Sequence, residues 1–156
     1  MHKYSCCFTG HRKLPKKKIE SIIFNLNKEV ERLIQGGITT FISGGALGFD
    51  QIAASLIVAK GDIGYDINLV MALPCKGQDD LWSVKEKQLY RQLLDVADVV
   101  EYVSETYTSD CMEKRNQYLI DKSEYCICAL IRERSGTGQT VRYAKEKNRQ
   151  IINVAE

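Results

Sequence analysis

The chain has 156 residues, which is the length of one ordinary domain with a sizeable buried core, so we expect residues 1–156 to form a single folding unit. With 44% hydrophobic and 27% charged residues, its composition is that of a soluble globular protein. The formal net charge of +2 is too small to indicate a nucleic-acid or membrane partner on electrostatic grounds. We therefore expect neither nucleic acid nor a membrane as a partner.

The sequence also favours a cytoplasmic location. Residues 1–10 lack the long apolar region and the cleavage site of a signal peptide, and no apolar run reaches the ~18 residues that a bilayer span needs. The six cysteines contain no C-x-x-C pair and the chain has only two histidines. We therefore expect free thiols and no metal site.

Short runs of branched and aromatic residues alternate with helical patterns along the chain. The runs predict six strands, over residues 3–8, 38–43, 66–73, 98–103, 125–131 and 150–154. The patterns between them predict five helices. The first ends at Gly36-Gly37, and the other four cover about residues 50–60, 79–97, 110–123 and 139–148. This alternation predicts an α/β fold: an open, doubly wound, mostly parallel sheet with helices on both faces and ligands at the carboxyl ends of its strands.

A glycine-rich turn follows the second predicted strand. The segment ISGGALGFDQIA places Gly44, Gly45 and Gly48 between an apolar run and a helix start. Such glycines let a ligand approach the backbone, and free amides at a helix start attract phosphate or carboxylate; tight packing alone is the alternative. The spacing G-G-x-x-G is not the dinucleotide fingerprint, and no P-loop occurs, so a standard NAD domain or a P-loop NTPase is disfavoured.

Polar residues at the first two strand ends are candidate ligand contacts. Asp50 opens the second helix, where its carboxylate could accept backbone amides or ribose hydroxyls. Arg12 follows the first strand, and its guanidinium could clamp a phosphate through two parallel hydrogen bonds, with His11 as a further donor. The alternative for Arg12 and His11 is an ordinary exposed loop.

The segment SGTGQT repeats this pattern after the fifth strand. Its hydroxyl groups could bind phosphate oxygens or cap the helix that follows; they belong to Ser135, Thr137 and Thr140. Arg115 and Asn116 on the fourth helix could complete the pocket or face water. Two glycine-rich helix starts at one edge of a single sheet favour a ligand site.

The segments TGHR, SGGALGFD, ALP, RN and SGTGQT, in this order, resemble the YpsA-like family of the SLOG superfamily. The resemblance covers essentially the whole chain and implies a Rossmann-like domain that binds a nucleotide-related ligand. The resemblance places the ligand site in the loops after the strands, and Arg115 and Asn116 of the fourth helix are added to it. The full predicted site is Thr9, Gly10, His11, Arg12, Ser43, Gly44, Gly45, Gly48, Asp50, Pro74, Arg115, Asn116, Gly136, Thr137, Gly138 and Thr140.

Two relatives within that superfamily imply different activities. The lonely guy phosphoribohydrolases carry M-x-x-R-K and P-G-G-x-G-T-x-x-E, whose Arg and final Glu are implicated in cleaving an N-glycosidic bond. Here MEKRN supplies Met112 and Arg115, but Val141 or Arg142 stands where that Glu should be. Catalysis is therefore left open, with Arg115 and Asp50 as the residues to test. DNA-processing protein A, which binds single-stranded DNA, has a stretch similar to SGGALGFDQIAA.

We therefore expect a cytoplasmic binding protein, with a sensor as one role that such binding would serve. Its ligand would be a nucleotide derivative such as ADP-ribose, an NAD-like molecule or a nucleoside monophosphate. The alternative is a phosphoribohydrolase-like enzyme that acts on the same ligand class, and the third reading is a single-stranded DNA-binding module. No cofactor beyond the ligand is required, and a homo-oligomer is compatible with the sequence.

Overall fold

Six parallel strands form one sheet in the computed structural model, which describes residues 4–156. The strands are β1 (Ser5–Gly10), β2 (Thr40–Ser43), β3 (Asn68–Leu73), β4 (Val99–Tyr102), β5 (Tyr125–Ala129) and β6 (Gln150–Asn153). They lie in the order β4-β3-β2-β1-β5-β6, and every neighbouring pair is parallel. All six predicted strands are present, although the expected start of the first, at residue 3, lies outside the described residues.

Five helices connect the strands. They are α1 (Lys16–Gln35), α2 (Phe49–Asp62), α3 (Val84–Val96), α4 (Cys111–Asp121) and α5 (Gly136–Glu146). None of them, within residues 4–156, has the length and apolar character that crossing a membrane requires.

Two helices begin three or more residues away from the predicted start, and side-chain caps explain both differences. α3 begins after Ser83, not at Asp79, because Ser83 and Glu86 form a reciprocal capping box with N–H···O distances of 3.2 and 2.9 Å. α5 begins at Gly136, ahead of the predicted start at 139, because the Ser135 hydroxyl oxygen accepts a hydrogen bond from the amide of Gly138 at 3.0 Å.

The helices cover both faces of the sheet. Alternate strand residues point to opposite faces, so Cys6 and Phe8 pack in one apolar cluster with α1, α2 and α3. Cys7, Cys126 and Cys128 pack in the other cluster with α4 and α5. All six cysteines are free thiols and buried. The predicted Rossmann-like, doubly wound α/β architecture is therefore confirmed.

The chain changes direction across the sheet between β1 and β5. Strands β1 to β4 progress towards one edge, whereas β5 lies on the other side of β1 and pairs Ala129 with Gly10. In open α/β sheets, ligands bind outside the carboxyl ends of the strands at such a reversal. The fold therefore brings the loops that follow β1 and β5 together at the position where a ligand site is expected.

Candidate functional site

A cavity of about 490 Å³ opens over the carboxyl ends of β1 and β5, and we call it the β1/β5 cavity. Many of the predicted site residues line it: Thr9, Gly10, His11, Arg12, Asp50, Arg115, Asn116, Gly136 and Thr137. The other lining residues are Lys13, Ala46, Met112, Arg132 and Ser135, of which only Ser135 was expected to contact a phosphate. The structure thus brings together residues from four separate segments of the chain.

Positive charge dominates the lining of the β1/β5 cavity. Arg12, Lys13 and Arg132 are exposed, and Arg115 is buried; Asp50 is the acidic residue among them. Within residues 4–156, none of these four cations forms an ion pair at salt-bridge distance. An anion in the cavity would therefore meet cations that are not already neutralised. Two of these cations were not predicted: Lys13 directly follows the TGHR segment, and Arg132 lies three residues before SGTGQT.

The start of α5 presents free backbone amides to this cavity. The Ser135 hydroxyl caps the amide of Gly138, whereas the amides of Gly136 and Thr137 have no hydrogen-bond acceptor in the part of the chain that the structure describes. A Cβ atom at Gly136 would meet no atom of residues 4–156 within 4 Å, so the space beside this residue is open. Free amides and the helix dipole together favour an anion at this position.

His11 fixes the loop after β5 against the loop after β1. Its Nε2 atom accepts hydrogen bonds from the amides of Ile131 at 3.0 Å and Arg132 at 3.2 Å. Since Nε2 accepts, this network assigns the imidazole as neutral with its proton on Nδ1. Burial, with a smaller effect of the Arg132 charge, lowers the pKa of His11 and favours the same form. Nε2 of His11 therefore cannot donate the predicted hydrogen bond to a phosphate. It holds the loop after β5 in place instead.

The glycine turn after β2 uses two of its amides inside the protein. The amide of Gly45 donates to the Ser43 hydroxyl at 3.2 Å, and the amide of Phe49 donates to the His11 carbonyl at 3.2 Å. The Ser43 hydroxyl in turn donates to the carbonyl of Asp50 at 2.8 Å. The amides of Gly45 and Phe49 are therefore not free to bind an anion, and the anion seat expected at this turn stays a prediction for its other amides.

The three glycines of that turn allow close packing. A Cβ atom at Gly44 would lie 2.5 Å from Nη1 of Arg115, and one at Gly48 would lie 2.5 Å from the His11 carbonyl oxygen. A Cβ atom at Gly45 would press against core side chains at 2.9 Å and beyond, and Gly45 and Gly48 have φ angles of +70° and +86°. The packing alternative therefore accounts for the glycines at this turn.

The remaining predicted residues lie near the β1/β5 cavity but do not line it. Gly138 allows the carbonyl of Glu133 to approach α5 closely, and the Thr140 hydroxyl donates to the Gly136 carbonyl at 2.9 Å. Both therefore shape the start of α5. Pro74, like Gly48, lines a neighbouring cavity beside α3.

Asp50 and Arg115 line the cavity although both are buried. Arg115 donates from Nη1 to the Gly44 carbonyl at 2.6 Å and from Nε to Oδ1 of Asn116 at 2.9 Å. Asp50 is only 5% exposed, and its Oδ1 atom has no hydrogen-bond partner among the described residues. Burial raises the pKa of Asp50 to about 6, although the Arg115 charge and the Ala46 amide act to lower it. A buried acceptor without a partner is a place where a ligand hydroxyl could donate.

Comparison with known proteins assigns the family. The YpsA family model, described as the YspA SLOG family, matches residues 6–154. The chain belongs to this family. This YpsA-family chain is 35% identical to the uncharacterized SPbeta prophage-derived protein YoqJ of Bacillus subtilis (strain 168) over 118 residues. The match covers 68% of this chain and 69% of YoqJ. It is 25% identical over 138 residues to a UPF0398 protein of Bacillus thuringiensis (strain Al Hakam), covering 86% and 74% of the two chains.

Two solved structures share the fold of this YpsA-family chain. DNA processing protein A from Streptococcus pneumoniae matches with a TM-score of 0.69 at 20% identity, over 94% of this chain and 48% of that one. DNA processing protein A from Helicobacter pylori matches with a TM-score of 0.66 at 19% identity, over 94% and 63%. The chain thus spans about half of the first protein and less than two thirds of the second. At these identities the likeness shows the fold alone.

The same comparison corrects the expectation about nucleic acid. The Helicobacter pylori protein has a single-stranded DNA binding mode, so a chain of this fold can bind nucleic acid and the prediction against such a partner is wrong. That prediction used the net charge of +2, which averages over the whole molecule. The lining of the β1/β5 cavity shows why an average misleads, because cations from distant segments of the chain meet at one edge of the sheet.

Proposed function

We propose that this YpsA-family chain binds a nucleotide-derived ligand through a phosphate in the β1/β5 cavity. The observation that carries the proposal is the pair of free amides at Gly136 and Thr137, which open onto a cavity that is also lined by Arg12 and Arg132. Amides at a helix start and guanidinium groups are the donors that phosphate prefers in proteins. ADP-ribose, an NAD-like molecule and a nucleoside monophosphate are the candidate ligands.

Asp50 gives the ligand an orientation in this proposal. Its carboxylate would repel a phosphate beside it, whereas Oδ1 has no donor among residues 4–156 and could accept a hydrogen bond from a ribose hydroxyl. The phosphate therefore belongs at the start of α5, and the sugar belongs near Asp50. A sensor role would require that the chain bind this ligand but not that it cleave it.

A thermal-shift series with AMP, ADP-ribose and NAD tests the proposal. A ligand at ~100 times its dissociation constant adds about 2.7 kcal/mol to the stability of a folded state that alone binds it. At least one of the three should raise the melting temperature, and Arg132→Ala should weaken its binding by about tenfold, because charge-assisted hydrogen bonds to phosphate are lost. Arg12→Ala should have a similar effect.

Arg134→Ala is the matched control for this series. Arg134 is also exposed and belongs to the same loop, but it does not line the β1/β5 cavity. Its substitution should leave binding unchanged. Equal losses in Arg132→Ala and Arg134→Ala would indicate general charge attraction and would contradict a phosphate seat, and the absence of a shift with all three nucleotides would contradict the proposal as a whole.

A phosphoribohydrolase-like activity is the second candidate, and the position of Asp50 beside the cavity favours it. Loss of a nucleobase passes through a sugar with cationic character, which an ionised carboxylate stabilises. In such a reaction water would add to the anomeric carbon, the N-glycosidic bond would break, and the base would leave with a proton. Incubation of the chain with AMP and detection of adenine and ribose 5-phosphate would support hydrolysis, whereas intact AMP would support binding alone.

Binding of single-stranded DNA is the third candidate, supported by the shared fold of the Helicobacter pylori protein. The free cations of the β1/β5 cavity could contact a strand backbone as readily as a single phosphate. Fluorescence anisotropy with a labelled oligothymidine at two salt concentrations tests this reading. Binding that weakens steeply with salt would support it, since counterions are released on binding, and no binding at low salt would exclude it.

A further inference from the structure

A second and larger cavity, of about 920 Å³, lies beside the first between the β3–α3 loop and the start of α4. We call it the β3/α3 cavity. Arg12, Lys13 and Met112 line both cavities, so the two adjoin along these side chains. A ligand anchored in the β1/β5 cavity could therefore extend past Arg12 into the β3/α3 cavity.

The two cavities differ in chemistry. The β3/α3 cavity carries aromatic and apolar groups on its lining, including Trp82, Tyr107, Leu81 and Met112. Tyr107 is 74% exposed, and Leu81 is also exposed, so water covers large apolar surfaces there. Flat aromatic groups stack on such side chains, and the methionine sulfur is polarisable enough to contact a ring. The neighbouring β1/β5 cavity, in contrast, is lined by cations.

Trp82 is held in one orientation before any ligand arrives. Its ring meets the ring of Tyr90 edge-to-face, with the centroids 5.0 Å apart. The Tyr90 hydroxyl accepts a hydrogen bond from Nε2 of Gln78 at 3.0 Å, and the same Nε2 donates to the Gly44 carbonyl at 3.3 Å. The Trp82 amide donates to the carbonyl of Asp79 at 3.0 Å. A fixed ring loses little conformational entropy when a base packs against it.

We propose that the β3/α3 cavity binds the nucleobase of the ligand whose phosphate binds at the start of α5. This inference rests on the proposed function and deepens it, because it assigns the ligand to the class of nucleotides that still carry their base. Sugar phosphates without a base would fill only the β1/β5 cavity. Arg12 and Lys13, at the junction of the two cavities, would lie beside the sugar-phosphate part of the same ligand.

The single tryptophan of the chain makes this proposal directly measurable. Because Trp82 is the sole tryptophan, the intrinsic tryptophan fluorescence reports the β3/α3 cavity alone. AMP should quench this fluorescence over the concentration range in which it begins to raise the melting temperature. Ribose 5-phosphate should raise the melting temperature without quenching, because it has no base to place beside the indole ring.

A matched pair of variants tests the seat itself. Tyr107→Ala should weaken AMP binding by about tenfold, the size expected when a stacking ring is removed, and should leave ribose 5-phosphate binding unchanged. Phe24→Ala is the control: Phe24 is 71% exposed, similar to Tyr107, but it lies on α1 and lines neither cavity. AMP binding should be the same in Phe24→Ala as in the unsubstituted chain.

The outcomes separate this proposal from the proposed function. AMP could raise the melting temperature without changing Trp82 fluorescence, and bind Tyr107→Ala as tightly as the unsubstituted chain. In that case the base lies elsewhere, and only the nucleobase assignment is overturned. If neither AMP nor ribose 5-phosphate binds, the phosphate seat itself is overturned. Quenching by AMP together with a loss confined to Tyr107→Ala supports both.

Discussion

Gly136→Asp is expected to abolish nucleotide binding while leaving the fold as stable as before, or slightly more stable. A carboxylate at this position would occupy the open space beside the free amides and repel a phosphate. The same carboxylate lies in the first turn of α5, where the helix dipole stabilises negative charge by about 0.3–1 kcal/mol. The affinity for AMP should fall by at least about 100-fold, since a negative charge replaces the space that the phosphate needs.

Calorimetric titration with AMP and thermal unfolding measure the two halves of this prediction. Gly136→Ala is the control, because a Cβ atom at this position meets no neighbour and carries no charge. It should retain AMP affinity within a few-fold. AMP affinity of Gly136→Asp equal to that of the unsubstituted chain would show that the phosphate does not bind at the start of α5.

Asp50→Asn is expected to stabilise the chain at neutral pH by about 2–3 kcal/mol. Burial raises the pKa of Asp50 from 3.8 to about 6, so the folded state holds a proton that the unfolded state has already lost between these values. The free energy of unfolding therefore falls as the pH rises from about 4 through 6. Each unit by which the pKa of Asp50 is raised on folding lowers the free energy of unfolding by about 1.4 kcal/mol once the pH is above both pKa values. At pH 7 the free energy of unfolding is therefore roughly 3 kcal/mol lower than at pH values below 4. A neutral amide does not incur this loss.

Urea unfolding between pH 4 and 8 measures this difference. The advantage of Asp50→Asn should be near zero at pH 4 and largest above pH 6. Asp66→Asn is the control, because Asp66 is an exposed aspartate and its substitution should change stability by less than about 0.5 kcal/mol at every pH. A difference between Asp50→Asn and the unsubstituted chain that does not vary with pH would contradict the buried ionised carboxylate.

A carboxylate that weakens the fold at neutral pH needs a reason outside the fold. Ligand binding supplies one, because ribose hydroxyls that donate to Asp50 would favour its ionised form. The affinity for AMP should then rise with pH as the free carboxyl ionises near pH 6. Stability and binding would thus place opposite demands on the same side chain.

The architecture followed from patterns that burial imposes on the sequence. α1 was predicted from apolar residues at intervals of three and four, and its buried residues Ile22, Leu26 and Val30 belong to that pattern. The start of α3 was missed because the apolar pattern continues through Leu81 and Trp82, whereas the Ser83 cap determines where the helix begins. The spacing of apolar residues predicts which face of a helix is buried, but it does not predict which capping hydrogen bonds determine where the helix begins.

The site was predicted in outline but not in its division of roles. The turn at Gly44 and the turn at Gly136 have the same predicted role, because both place glycines before a helix. The structure shows two differences, since Ser43 and the His11 carbonyl accept from the amides of Gly45 and Phe49 in the first turn, whereas the space beside Gly136 is open. Which amides are free depends on partners far away in the chain, as the 120-residue separation between His11 and Ile131 illustrates.

A crystal structure of the chain with AMP tests the central claim most directly. We predict the phosphate at hydrogen-bond distance, about 2.7–3.2 Å, from the amides of Gly136 and Thr137, with the guanidinium of Arg12 or Arg132 in contact with it. A phosphate seated at the turn of Gly44 to Gly48, or AMP bound away from the carboxyl ends of β1 and β5, would contradict the claim.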